Sequence, residues 1–117
     1  MSTHSLIQVV EAELIKITDD SNPVRSSFSK ISIDSLRRIR TQLQLNTDVR
    51  SIVNQLENEL LRYAICVKEL EQEHIADSNP AAIVLHQWGQ SLRIVFDRLR
   101  EERRFRSELD RMVERIA

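Results

Sequence analysis

Glu71 and His74 stand three residues apart in Glu71-Gln72-Glu73-His74. On a helix that spacing puts a carboxylate and an imidazole on one face, the arrangement from which carboxylate-bridged di-iron centres are built. Such a centre needs a second copy and further inward glutamates, and the only histidine on the following helix, His86, has Ile83 three residues before it. His4, His74 and His86 show no zinc spacing, and a single cysteine, Cys66, does not make up the ligand count. No metal and no cofactor are expected. Cys66 reads as a small buried apolar side chain rather than a nucleophile, and a lone cysteine fits a reducing cytoplasm. Serines, histidines and aspartates are present, but no glycine-flanked nucleophile is, and one glycine, Gly89, is too few for a phosphate-cradling loop. The chain is therefore read as non-enzymatic.

His86 lies in Leu85-His86-Gln87-Trp88-Gly89-Gln90-Ser91-Leu92. Over these few residues the chain resembles the histidine phosphotransfer domains, where an exposed imidazole on a helical bundle carries phosphate and a nearby glycine leaves room for the response regulator. The resemblance implies, as an alternative function, a signalling domain acting through His86. That family has a lysine three residues after the histidine and a glycine after that; here Gly89 stands at the lysine position and Gln90 follows. The phosphoryl charge thus lacks its neutralising cation, and Gly89 serves equally well to let helices pack closely beneath Trp88.

Arginines supply a second alternative, a small helical nucleic-acid-binding regulator. Arg37, Arg38 and Arg40 form one group, and Arg98, Arg100, Arg103, Arg104 and Arg106 a denser one. Phosphate neutralisation needs unpaired cations on one face. Asp97, Glu101, Glu102 and Glu108 are interleaved with the second group, and Arg98 with Glu102, Glu102 with Arg106 and Arg104 with Glu108 are all four apart, as in a solvated helix. The net charge of −1 gives no whole-molecule attraction to nucleic acid or anionic lipid. Fourteen arginines against three lysines instead favour a protein interface, because the guanidinium pairs with carboxylates in a planar fork.

The elements that would position these residues are all helical. Both prolines fall in the same tetrapeptide, Asp20-Ser21-Asn22-Pro23 and Asp77-Ser78-Asn79-Pro80, a helix-start signal in which Asn caps and Pro takes the first turn. Leu6, Val10, Leu14 and Ile17 predict a helix over 5–18. Val24, Phe28, Ile31, Leu36, Ile39 and Leu43 predict a second over 23–45, and the serines at 26, 27, 29, 32 and 35 favour a break near Ser32. After a cap at Asn46 to Asp48, Val49, Val53, Leu56, Leu60, Tyr63, Val67, Leu70 and His74 alternate by four and three, a heptad seam over 48–76. Ile52, Leu61, Ile65 and Cys66 beside it predict burial on more than one side. The last helix is expected over 80–116, carrying Val84, Leu85, Trp88, Leu92, Val95, Phe96 and Leu99, then the charged collar Arg100 to Arg104, then a fresh apolar stripe.

A length of 117 residues with 41% hydrophobic and 30% charged residues suits one globular domain, 1–117. No apolar run reaches membrane-spanning length, so no membrane role is expected and the cytoplasm is the simplest location. The fold class expected is all-α, a four-helix bundle built from two helical hairpins with a long C-terminal helix. The function expected is protein–protein contact, as an adaptor, assembly factor or regulatory subunit, in a homodimer. The stripe Phe105, Leu109, Met112 and Ile116, rimmed by Arg103, Arg104 and Arg106, is the candidate partner-binding surface, with apolar burial giving affinity and the charged rim giving register; the alternative is a helix that folds back at Arg100 to Arg104 and finishes the same core.

Overall fold

Residues 3–18 and 27–116 are described by the computed structural model, and their regular structure is helical throughout. α1 is Thr3–Thr18, α2 Ser27–Gln44, α3 Val49–Gln72, α4 Pro80–Glu101 and α5 Arg106–Ile116, with a 3-10 turn over Arg103–Phe105 before α5. The first Asp-Ser-Asn-Pro segment lies outside the described residues, and with it the expected start of the second helix at Pro23 and the expected role of Val24.

Local chemistry explains most of the boundaries. Asp48 accepts the Ser51 N–H at 2.7 Å and caps α3, and that backbone donor holds the Asp48 carboxyl below the usual carboxylate range. Asn79 accepts the Ala81 N–H at 2.9 Å, and Pro80 occupies the first turn of α4 as the sequence predicts. α3 ends four residues earlier than expected. The Ile75 N–H bonds the Leu70 carbonyl and the His74 N–H bonds that of Glu71, with His74 left-handed at φ 53°, a Schellman stop with histidine in the position glycine usually takes. His74 therefore lies beyond the helix that carries Glu71, and the Glu-x-x-His spacing does not produce a shared helical face.

Two expectations are corrected. α2 runs unbroken through Ser32, whose hydroxyl donates to the Ser29 carbonyl at 3.0 Å while Ser35 is buried as a partner for Trp88. Here the serines are absorbed by the helix and its core rather than breaking it, although Ile31 is exposed and leaves the expected stripe. The single helix over 80–116 does not form. At Glu102 the backbone becomes extended (φ −87°, ψ 118°), the 3-10 turn follows, and α5 folds back. The Glu102 carboxylate receives Arg104 at 3.0 Å, the Arg104 guanidinium lies 4.7 Å from the Phe105 ring centroid, and Arg106 Nε donates to the Arg100 carbonyl. This reversal buries Phe105, Leu109 and Met112. Full burial of such a side chain is worth about 1.5–3 kcal/mol, more than the few backbone bonds lost at one helix break.

α1 packs on α2 and α4, α3 packs on α2 and α4, α2 also meets α4, and α5 lies against α3 and α4. Trp88 occupies the centre, its indole N–H donating to Ser35 Oγ at 2.9 Å and its ring meeting Tyr63 edge-on at 5.5 Å. Two buried carboxylates join helices. Glu59 of α3 accepts two bonds from Arg38 of α2 at 2.8 Å and one from Gln55 at 2.6 Å. Glu13 of α1 accepts the Ser91 hydroxyl of α4 at 3.0 Å and Lys16 at 2.8 Å. Both Glu59 oxygens are satisfied, which is the condition for keeping a charge inside, and the Glu59 contact holds the Arg38 guanidinium charged more firmly than usual. The overall extents are 40 × 32 × 19 Å, so the molecule is about two helix diameters thick.

Candidate functional site

The expected partner-binding stripe divides. Phe105, Leu109 and Met112 are in the core of the chain itself, so their apolar surface is occupied from within and the stripe is not a free face. The physical reason is the reversal at Glu102, which turns the stripe onto α3. Its end remains outside: Ile116 is exposed, as is Val113 beside it. Of the expected rim, Arg104 pairs with Glu102, Arg106 reaches the Arg100 carbonyl, and Arg103 is exposed.

A second set of apolar side chains continues from there. Arg115 of α5 binds Glu57 of α3 through two bonds at 3.0 and 2.8 Å, and the pairing holds the Glu57 carboxyl below the usual carboxylate range. One turn further along α3 stands Leu61, and one turn beyond that Ile65, 46% and 59% exposed. The expectation that α3 is buried on several sides holds for Ile52 and Cys66 and is corrected for Leu61 and Ile65, since in a molecule two helices thick nothing lies over them. Leu61 and Ile65 thus lie one and two turns along α3 from Glu57, and Val113 and Ile116 flank Arg115 on α5, so the Arg115–Glu57 pair links the helices that carry this exposed apolar seam.

The remaining chemical candidates are placed as follows. His86 is exposed on α4 and lines a groove of about 470 Å³ with Tyr63, Leu70, Glu71, His74 and Asp77. No lysine or arginine lines it, so the geometry offers a phosphoryl group on His86 acidic neighbours and a second imidazole rather than a cation. Gly89 has a packing explanation: a Cβ there would stand 2.5 Å from Tyr63 Oη. Cys66 is buried, and burial followed by the nearby Glu69 pushes its thiol pKa up, away from nucleophilic behaviour. Among the described residues no group of three or more His, Cys, Asp or Glu is placed to hold a metal ion. No described helix is long and apolar enough to cross a membrane.

The arginines also separate. Arg38 is engaged by Glu59, while Arg37 and Arg40 line a groove against α1. Arg98 approaches Glu101, Arg111 meets Glu108 and Arg115 holds Glu57, so these three guanidinium groups are paired with acids.

Sequence reasoning missed Glu59 and the seam's exposure. Glu59 falls in the line Ile52, Leu56, Glu59, Tyr63 at spacings of four, three and four, and a carboxylate in an apolar line was the available signal. No protein-family model, curated protein or solved structure matches this chain.

Proposed function

We propose that the protein is a non-enzymatic interaction module, an adaptor, assembly factor or regulatory subunit, whose first partner is a second copy of itself. In this reading α1 to α4 are the expected four-helix bundle of two hairpins, and α5 is a brace against α3 and α4. The observation that carries the proposal is the uncovered seam of Leu61, Ile65, Val113 and Ile116. A two-fold pairing presents each of these side chains twice and thickens a molecule that is only 19 Å across. A net charge of −1 sets up no long-range repulsion between copies.

Light scattering on the purified chain tests this directly. The expected mass is twice 13.7 kDa, falling to 13.7 kDa when Leu61→Asp and Ile65→Asp are combined, with the far-ultraviolet circular dichroism unchanged. Met112→Asp, by contrast, places a charge in the core and is expected to unfold the chain. A wild-type monomer across the accessible concentration range overturns the self-association reading.

A further inference from the structure

α1 and α2 frame a groove of about 320 Å³ lined by Glu11, Leu14, Ile15 and Thr18 on one side and Arg37 and Arg40 on the other. Arg37 and Arg40 are one turn apart and share a helical face. Between them in sequence, Arg38 turns the other way and is held by Glu59 with both ends of its fork. Arg37 and Arg40 have no carboxylate within 4 Å among the described residues, and Arg40 Nε is a buried donor that no acceptor meets. A guanidinium donor taken out of water without a partner is costly, and proteins leave few of them. Beside this donor Ile15 is 67% exposed, an apolar side chain outside the buried line of Leu6, Val10 and Leu14. Glu11 is the one acid in the lining, and it is not bonded to either arginine.

We propose that this groove binds an acidic side chain of a partner protein, with the outer guanidinium N–H groups of Arg37 and Arg40 as donors to its carboxylate and Ile15 as the contact for an adjoining apolar residue. The planar fork of arginine fits a carboxylate with two parallel bonds. The apolar neighbour is what selects a peptide over a bare anion. The groove is built from α1 and α2 and shares no residue with the α3 and α5 seam, so the two proposals stand or fall separately.

Arginine Nε–H signals are resolved in proton–nitrogen correlation spectra, so the site carries its own reporter. Titration with the blocked peptide acetyl-LELE-amide is expected to shift the Arg40 Nε–H and Ile15 methyl signals along one saturating curve. Acetyl-LQLQ-amide is expected to move neither. Arg37→Gln, at an exposed position, should weaken binding about tenfold through loss of one charge-assisted contact, and Ile15→Ser should weaken the peptide while leaving the response to inorganic phosphate unchanged. The Leu61→Asp, Ile65→Asp chain should bind the peptide as the wild type does. Saturation of the Arg40 signal by inorganic phosphate as readily as by the peptide, with Ile15 unmoved, overturns the proposal in favour of a simple anion site. Absence of any saturating shift overturns it as well.

Discussion

Over its first half α3 removes Ile52, Val53, Leu56 and Glu59 from solvent, whereas over its second half Tyr63, Val67 and Leu70 are half-buried and Leu61 and Ile65 stand open. The apolar spacing is the same from Val49 to Leu70. What differs is the company. Arg38 reaches across from α2 to Glu59 and Arg115 from α5 to Glu57, so two helices close on the first half. The second half rests on α4, where Tyr63 meets Trp88 and the bare backbone of Gly89. Spacing decides which side chains share a face. Where the neighbouring helices stop decides whether that face is core or surface.

The comparison is broken or upheld most strongly by truncating one leucine in each half. Leu56→Ala is expected to cost about 3 kcal/mol of unfolding free energy and Leu61→Ala less than about 0.5 kcal/mol, read from urea denaturation at chain concentrations low enough to keep the copies apart. Equal costs would mean that the two halves are covered alike.

A smaller effect tests the α4 contact of the second half. Gly89→Ala improves helix propensity by up to about 1 kcal/mol, yet its methyl carbon would stand 2.5 Å from Tyr63 Oη and 2.6 Å from Cζ, on a ring pinned edge-on to Trp88. A net loss of about 1 kcal/mol is expected. In a Tyr63→Leu background the same substitution should become stabilising, a reversal that a double-mutant cycle measures.

The smallest effect concerns the brace on the first half. Arg115 holds the Glu57 carboxyl below its ordinary range, so this contact stabilises the fold above the unfolded glutamate pKa of about 4.3 and is lost as pH falls through the depressed folded value. The gap in urea midpoint between wild type and Glu57→Gln should therefore be small and constant near neutrality and close under acid. A gap that widened as pH fell would show that Glu57 is not held by Arg115.

Much of the helical punctuation was legible because it is written in local chemistry. Asp48, Asn79 and Pro80 cap and start helices through bonds to residues two or three positions away. The break at Glu102 was legible only as an alternative, a fold-back at the charged collar Arg100 to Arg104, since neither glycine nor proline marks it and arginines and glutamates are good helix formers. It is imposed from a distance, by the gain from placing Phe105, Leu109 and Met112 on α3. Ser35 misled for the same reason, since it waits for Trp88, 53 residues away, whereas Ser32 bonds its own helix without breaking it. Of the candidate surface, Ile116 was visible as apolar, but the openness of Leu61 and Ile65 depends on which helices lie beside that half of α3, which spacing along one helix does not encode. That Arg37 and Arg40 pair with no carboxylate among the described residues likewise depends on how α1 lies across α2.

Trp88 is the chain's sole tryptophan, and it touches Ser35 of α2 and Tyr63 of α3 from its place on α4. Its fluorescence is consequently an intrinsic gauge of whether those three helices are assembled. Unfolding followed by tryptophan emission and by backbone ellipticity will coincide if α5 leaves with the rest, and will part if it peels away first, so the native chain carries an optical label for the order in which its layers come undone.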